Sequence, residues 1–243
     1  MKLLFTTEYY PPFLAGGSPV SIRDLAVALV ERGHRVTVVT PNHGGAAASI
    51  EVADGVRVVR FPVNSRLDPV TSLARPRDLV QPGFHIRMAS AIVRDVRRHG
   101  ADVIHAQDKH ALVGAFVAAR LTGRPIFATL RDTGLICPIA TCLLTHERVP
   151  ADCSSWKLQA ECLAPYLDTY IKPGRLRRLR VRLATALLYW DARLKAALLR
   201  RCDGVIAVSA ALRILYAEAR QLPVERFHVV RTPIPPAPAR WPH

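Results

Sequence analysis

The sequence, 243 residues in length, contains no long hydrophobic run. One of its longest uncharged stretches, residues 133–146, is interrupted by Pro138, whereas a membrane-spanning helix needs roughly 18 or more apolar residues. At the amino terminus only residues 3–5 form an apolar run before polar side chains follow, which is too short for the core of a secretory signal peptide. We therefore expect a cytoplasmic protein without a transmembrane helix.

Cysteine is also scarce, with five residues in the chain. In an intracellular protein of this length, such a number indicates thiols or a metal site rather than a disulfide scaffold. Four thiolates in one segment could close a tetrahedral zinc site, but no C-x-x-C pair supports it, and buried thiols are the alternative. The four weak zinc candidates are Cys137, Cys142, Cys153 and Cys162, with His146 among them.

Two phosphate-binding motifs are absent. The chain has neither the Rossmann dinucleotide pattern G-x-G-x-x-G nor the P-loop pattern G-x-x-x-x-G-K. The main sequence evidence for a nicotinamide-dependent enzyme or an NTPase is therefore missing. Gly16 and Gly17 nevertheless stand between the first predicted strand and a predicted helix, where ligands of open α/β sheets bind. They could let the backbone approach a phosphate at the helix terminus; the alternative is a plain tight turn.

Positive charge dominates, with a formal net charge of +15, and 29 of the 34 basic residues are arginine. A genome-wide arginine bias would explain the total but not its concentration in residues 172–201, which hold ten basic residues and one acid. Leucine and tryptophan recur there every three or four residues, which predicts one long amphipathic helix. The recurring residues are Leu176, Leu179, Leu183, Leu187, Trp190, Leu194 and Leu198.

This helix admits two interpretations. It could pack on the domain and expose a solvated basic face, or the segment from Arg175 to Arg201 could dock on an anionic membrane surface, to which each nearby basic residue adds roughly 1 kcal/mol of binding. Nucleic-acid binding is not expected, because no aromatic platform or DNA-binding motif accompanies the charge.

Short apolar runs alternate with helical stretches along the rest of the chain. Continuous apolar runs are typical of strands covered on both faces, and the alternation predicts a Rossmann-like α/β fold with a parallel sheet and helices on both faces. The predicted strands are 2–7, 35–40, 56–61, 102–105, 125–130, 204–208 and 227–230, and the predicted helices are 18–32, 80–99, 111–121 and 209–220.

Two segments depart from this rhythm. Residues 131–173 show no sustained period, and a loop of that length implies function or a local fold of its own. Residues 231–243 are rich in proline and indicate a linker or tail. We therefore predict one domain over 1–230, with the insertion at 131–173 and the basic amphipathic helix at 174–201.

Three segments carry a resemblance to a known family, in order and with consistent spacing. They are residues 1–41, from MKLLFTTEYYPPFLAGGSPV onward, residues 102–138, from DVIHAQDKHALVG onward, and residues 202–213, CDGVIAVSAALR. They resemble the N-terminal, acceptor-side half of the GT-B glycosyltransferases of family 4. The resemblance implies transfer of a sugar from a nucleotide-sugar donor to a glycan or lipid-linked acceptor, in the retaining manner, with no cofactor and no metal at the reacting centre.

The resemblance also implies which residues bind substrate. The Gly-Gly loop of the family lies near the donor diphosphate and the acceptor, which assigns Gly16, Gly17 and Ser18 here. The D-x-h-h-x-x-S segment, where h is apolar, assigns Asp203 and Ser209. His105 stands where many members begin a His-x-His at the end of the fourth strand.

Several positions depart from the family pattern. Gln107 follows His105 where the second histidine is common, and Arg131-Asp132 stands where the family has a histidine facing the reacting sugar, followed by aspartate. Arginine stays protonated and cannot be a general base, but it could hold an anion by a bidentate contact. His110 could supply an imidazole instead, or be a surface or capping residue. Arg131, Asp132 and His110 are thus the catalytic candidates.

The largest departure concerns the donor-binding half. No two glutamates are spaced E-x7-E, the pair by which the C-terminal half of the family binds nucleotide, so we expect that half to be absent. The chain would then be a fragment, one subunit of a split enzyme partnered by a separate C-terminal half, or a lone domain. The predicted function is the acceptor-side half of a glycosyltransferase; the alternative is a non-catalytic binding module or truncated remnant that keeps the fold and the basic helix.

Overall fold

A computed structural model describes residues 1–14, 16–43, 45, 47–63, 67–68, 73–139, 153–171, 174–220, 222 and 224–232. The strands are β1 (Lys2–Thr6), β2 (Arg35–Asn42), β3 (Ser49–Ala53), β4 (Val56–Pro62), β5 (Val103–Ala106), β6 (Ile126–Leu130), β7 (Gly204–Ala207) and β8 (Phe227–Val229). The helices are α1 (Gly17–Glu31), α2 (Pro76–Leu79), α3 (Pro82–His99), α4 (Leu112–Thr122), α5 (Ser155–Lys157), α6 (Leu163–Tyr166), α7 (Arg175–Leu199) and α8 (Ala210–Arg220).

The strands form one sheet in the order β3-β4-β2-β1-β5-β6-β7-β8. Every neighbouring pair is parallel except β3 with β4. The predicted α/β fold with a parallel sheet is therefore confirmed.

The antiparallel strand β3 is an addition to the predicted set. It forms a hairpin with β4 through Asp54 and Gly55, which both have positive φ, as the tight Asp-Gly hairpin turn requires. All five residues of β3 are exposed. An exposed edge strand buries no apolar run, and this is why the hydrophobic pattern did not predict it.

Hydrophobic clusters cover both faces of the sheet. Neighbouring residues of β1 point to opposite faces: Leu4 packs in one cluster with Met88 of α3, and Phe5 packs in another with Ile22 of α1. The prediction of helices on both faces is confirmed.

The side of α7 that faces the domain is not the side with most of the leucine and tryptophan residues. Five residues of the leucine and tryptophan series are 57–71% exposed, namely Leu179, Leu183, Leu187, Trp190 and Leu194. The face that meets the domain consists instead of Thr185, Tyr189, Ala192, Lys195, Ala196 and Leu199, all buried. Small alanines let α7 approach α4 closely, so the packed interpretation is wrong for these five residues, whereas Leu198 does pack against the core. We call the five exposed residues the α7 stripe.

Within the described ranges, no helix is long and apolar enough to cross a membrane.

The described part of the insertion is helical. α5 and α6 alternate with two π-helical turns, Leu158–Cys162 and Leu167–Ile171. Cys137 and Cys162 lie with Leu158 and Tyr189 in a small buried cluster. Cys142 and His146 lie outside the described residues, so the zinc site stays a prediction, as does the tail at 231–243, most of which is also outside them.

Candidate functional site

A cleft of about 240 Å³ lies at the carboxyl ends of the central strands β1, β5 and β6. In a parallel sheet these ends meet at one edge, where ligands of α/β folds bind. The cleft is lined by Glu8, Ser18, Asp108, Lys109, Thr129, Leu130, Arg131, Asp132, Leu135 and Tyr216. Three predicted site residues, Ser18, Arg131 and Asp132, thus come together here.

A larger groove of about 330 Å³ lies elsewhere, between β4 and α3, and is lined in part by Arg87, Arg94 and Arg98. It contains none of the predicted site residues. We place the candidate site in the smaller cleft, because strand ends, a helix terminus and the predicted residues coincide there.

Arg131 is held by hydrogen bonds to two neighbours. Its Nε donates to the Gln107 carbonyl at 3.0 Å and its Nη2 to Gln107 Oε1 at 2.8 Å. Its Nη1 donates to Ser21 Oγ, on α1, at 3.1 Å. Burial lowers the pKa of Arg131, while Asp108 raises it. The guanidinium is therefore fixed in place by neutral oxygens.

His105 completes this network behind Arg131. Its Nδ1 lies 3.1 Å from Gln107 Nε2, its Nε2 lies 2.7 Å from Thr129 Oγ1, and its ring meets Phe5 edge to face. Burial, and then the charge of Arg131, lower the pKa of His105 to about 3. A neutral imidazole accepts from Gln107 and donates to Thr129, so His105 orients Gln107 and does not line the cleft.

Glu8 and His110 form a second polar pair at the cleft. Glu8 follows β1, His110 precedes α4, and Glu8 Oε2 lies 3.6 Å from His110 Nε2. Burial, and then Asp108, raise the pKa of Glu8, whereas burial, and then Lys195, lower the pKa of His110. Both shifts favour the neutral forms of the two groups.

Lys195 lies behind this pair and is completely buried. Its Nζ donates to Asp191 Oδ2 at 2.6 Å within α7. Burial lowers its pKa, and Asp191 and Glu8 raise it. Lys195 also contributes to the lowered pKa of His85, which is about 4 and is mainly due to burial. The buried side of α7 thereby brings a charge to the rear of the cleft.

The Gly-Gly loop leads into the amino terminus of α1. Gly16 has φ 85° and ψ −165°, a combination that is essentially restricted to glycine. The terminus has no side-chain cap and no acidic residue in its first turn, and a Cβ at Gly17 would meet no atom within 4 Å. The first N–H groups of α1 are therefore open to a ligand anion.

Asp132 is anchored beside Arg131. Its Oδ2 accepts from Lys109 Nζ at 3.0 Å and its Oδ1 from the Gly134 N–H at 2.7 Å. Its carbonyl accepts from the Tyr216 hydroxyl of α8 at 2.9 Å. The charge of Asp132 is thus largely compensated by Lys109.

The two residues of the D-x-h-h-x-x-S segment occupy opposite ends of β7. Asp203 precedes the strand, and its Oδ2 accepts from the Ile126 N–H at 2.8 Å, at the edge of the sheet away from the cleft. Ser209 follows the strand, and its Oγ accepts from the Leu212 N–H at 3.1 Å, which caps α8.

Sequence reasoning assigned no role to four residues of the site: Glu8, Asp108, Lys109 and Lys195. Asp108 accepts from the N–H groups of Glu8, His110 and Ala111, so it joins the β1 loop to the start of α4. Glu8 and Asp108 could have been predicted, because each is an acid two residues after the end of a buried strand. Lys195 was not, because it looks like one more basic residue of a basic helix.

The sequence of residues 15–237 matches the family described as Glycosyltransferase Family 4. The chain belongs to glycosyltransferase family 4. A curated relative from Klebsiella pneumoniae, "Uncharacterized 42.6 kDa protein in cps region", is 25% identical over 186 residues, which cover 70% of this chain and 48% of the relative.

Two solved structures share the fold of this family 4 chain. Anabaena Alr3699/HepE in complex with UDP-glucose superposes with a TM-score of 0.51 at 18% identity, covering 96% of this chain and 44% of that one. Sucrose-phosphate synthase from Thermosynechococcus elongatus superposes with a TM-score of 0.58 at 14% identity, covering 95% and 47%. The expected half of a GT-B fold is confirmed, and the chain spans less than half the length of these proteins.

Proposed function

We propose that the protein is the acceptor-side half of a retaining glycosyltransferase, which transfers a sugar from a nucleotide-sugar to a glycan or lipid-linked acceptor. The main support is the coincidence of family 4 membership with a cleft at the uncapped amino terminus of α1. The relative with a bound UDP-glucose is consistent with a nucleotide-sugar donor. In this proposal the nucleotide-sugar is a co-substrate and no cofactor takes part.

The N–H groups of α1 suit the leaving diphosphate. Gly16 gives the loop its turn, and the open space at Gly17 leaves room for phosphate oxygens. Fixed backbone donors stabilise charge as it develops without having to reorganise. Arg131 cannot remove a proton, so we assign it to substrate binding. We assign the Glu8 and His110 pair to hydrogen bonding with an acceptor hydroxyl.

The proposal includes a second half that holds the nucleotide. The chain spans 44–48% of the relatives described above, and the sequence lacks the E-x7-E pair. Without a second wall, the cleft could neither orient the donor nor exclude water. We expect the 243 residues alone to bind ligand weakly and not to turn it over.

The test is release of nucleoside diphosphate from a panel of nucleotide-sugars. We expect no release by the purified chain alone, and release once a C-terminal GT-B half with E-x7-E is supplied in the same polypeptide or separately. Turnover by the chain alone would contradict the two-half proposal. No turnover with any such half would favour the alternative, a non-catalytic binding module.

We further propose that the α7 stripe docks the protein on an anionic membrane, at its inner face. The stripe is a row of large exposed apolar side chains, and exposed arginines, Arg180 on one side and Arg182 and Arg193 on the other, flank it along α7. An apolar face bordered by arginines is typical of helices that lie in the membrane interface. This arrangement would present the cleft to a lipid-linked acceptor.

A further inference from the structure

The guanidinium of Arg131 is a half-buried cation whose three hydrogen-bond acceptors are all uncharged. In the described part of the chain, no carboxylate oxygen lies within 4.0 Å of a guanidinium nitrogen of Arg131, so Arg131 forms no ion pair there. Removing a charge from water is unfavourable unless an opposite charge compensates for it. The position of this cation at the wall of a ligand cleft therefore indicates that the compensating anion belongs to a ligand.

The free hydrogens of Arg131 fit a planar anion. A guanidinium has five N–H bonds, and the bonds to Gln107 and Ser21 occupy three of them. One hydrogen remains on Nη1 and one on Nη2. Two adjacent donors of this kind bind a carboxylate or phosphate in a bidentate manner.

The other charged groups of the cleft make their direct contacts elsewhere than at Arg131. Lys109 and Asp132 compensate each other at 3.0 Å. Asp108 is satisfied by three backbone N–H groups at the start of α4, where the helix dipole favours a negative charge. Burial, and then Asp108, raise the pKa of Glu8, whose carboxylate lies next to His110 and not next to Arg131. The charge of Asp108 raises the pKa of Arg131 from a distance, but Arg131 is the one cation lining the described cleft that no carboxylate contacts directly.

The diphosphate of the donor has a separate place in the proposed function. Its N–H donors are at Gly17, the first residue of α1, whereas Arg131 is tied to Ser21, four residues further along. Four residues of helix span about 6 Å, so the contact of Arg131 with α1 is about one turn beyond the first N–H donors. A group other than the diphosphate is expected to face Arg131.

We propose that Arg131 binds the carboxylate of an acidic sugar, so that the substrates of this site include a uronic acid as either the transferred sugar or the acceptor. This inference rests on the proposed glycosyltransferase function and names its substrate class. Gln107 positions the guanidinium, and His105 positions Gln107 in turn.

The test is a titration of the purified protein, followed by the NMR signal of the Arg131 Nε–H group. The probes are methyl glucuronoside and, as the matched neutral sugar, methyl glucoside, with inorganic pyrophosphate as a third probe. We expect the glucuronoside to shift the signal and to saturate it, and the glucoside to leave it unchanged. The variants lack that signal and are compared by isothermal titration calorimetry: Arg131→Gln should weaken glucuronoside binding by about tenfold or more, and Arg131→Lys, which keeps the charge but loses the fork, by less.

Arg35→Gln is the matched control, because Arg35 is exposed at the amino end of β2, away from the cleft. Equal binding of the two sugars, or unchanged glucuronoside binding by both Arg131 variants, would overturn the proposal. So would a pyrophosphate that shifts the Arg131 signal at lower concentration than the glucuronoside, because Arg131 would then serve the diphosphate.

The source of the carboxylate is decided in the assembled enzyme. An acidic donor paired with a neutral acceptor is compared with the reverse pairing, and Arg131→Gln should slow the pairing whose carboxylate it binds by about tenfold or more relative to the other. The titration does not depend on turnover. Saturable glucuronoside binding without any transfer would therefore refute the proposed function and leave the acidic-sugar site standing.

Discussion

The terminal Nη2 of Arg131 lies 2.8 Å from Oε1 of Gln107. These are the two positions at which the cleft departs from the histidines common in family 4. The two substituted residues contact each other directly. Gln107 supplies two acceptors that hold the guanidinium, and His105 holds Gln107 in turn. Arg131 is therefore an integrated part of this site.

We expect Gln107 and Arg131 to be energetically coupled. Gln107→Ala and Arg131→Gln should each lower the free energy of unfolding by about 1–3 kcal/mol, since each leaves buried polar groups without partners. The double variant should lose less than the sum, by about 0.5 kcal/mol or more. Urea unfolding of the three variants measures this. Gln81→Ala, exposed and without a side-chain cap on α3, is the control and should change stability by less than about 0.5 kcal/mol; strict additivity would contradict the coupling.

Substitutions in the Gly-Gly loop should separate folding from binding. Gly16→Val should lower stability by about 1–3 kcal/mol, because its backbone conformation is restricted to glycine. Gly17→Val should leave the melting temperature nearly unchanged, since a Cβ there meets no atom within 4 Å. Its side chain should nevertheless exclude phosphate oxygens and abolish transfer in the assembled enzyme. Unchanged transfer by Gly17→Val would refute the diphosphate site at α1.

The buried pair on α7 should respond unequally to loss of its two members. Asp191→Ala leaves Lys195 buried without its ion-pair partner and should cost about 3–5 kcal/mol. Lys195→Met removes the buried charge itself and should cost less than about 1.5 kcal/mol. Asp168→Ala breaks the exposed pair with Arg178 and should cost at most about 1 kcal/mol. Chemical denaturation compares the three, and equal losses for Asp191→Ala and Lys195→Met would contradict the argument.

Acidification should destabilise the protein through its buried histidines. The pKa of His85 is lowered to about 4, against an ordinary value near 6.5, so the unfolded chain binds the proton more readily. The neutral His85 contributes its full stability above about pH 6.5. As the pH falls towards 4 this contribution is lost, and the loss is about 2 kcal/mol at pH 5. His110 changes stability in the same direction, because its pKa is also lowered.

The measurement is the unfolding free energy at pH 7 and pH 5. His85→Gln should lose less stability between these values than the parent. An equal loss in the His85 variant would show that His85 does not titrate in this range. Glu8 has the opposite effect on stability. Because its pKa is raised in the folded protein, its contribution to the free energy of unfolding becomes less favourable as the pH rises above 4.5.

Vesicle binding tests the α7 stripe. We expect the protein to sediment with vesicles that contain anionic lipid and to be released by high salt, which screens charges beyond a few ångströms. Leu187→Gln combined with Leu194→Gln should weaken binding at least tenfold, because each leucine contributes about 1.5–3 kcal/mol on burial. Leu121→Gln, equally exposed on α4, should have no effect.

Reversal of Arg180 and Arg193 to Glu should weaken the same binding. Lys195 is unsuitable for this test, because it is buried and does not face the membrane. Equal binding to neutral vesicles would refute the membrane proposal, as would a concentration-dependent dimer that the Leu187 and Leu194 substitutions abolish.

Local sequence patterns predicted much of the fold. Apolar runs located seven of the eight strands, since burial on both faces requires them. The remaining strand, β3, is an exposed edge whose signal is the Asp54-Gly55 turn and not hydrophobicity. The position of the cleft was also predictable, because the ends of parallel strands meet at one edge.

The sequence by itself determined that α7 is a long helix with an apolar stripe, because a period of three to four residues defines both. The tertiary structure decided which side of α7 is buried. The side with Ala192 and Ala196 can approach α4 closely, whereas the side with the α7 stripe stays exposed. It also decided the partners of the cleft residues. Glu8 meets His110 and Gln107 meets Arg131 across long stretches of chain, and such pairings arise only when distant strand ends are brought together by the sheet.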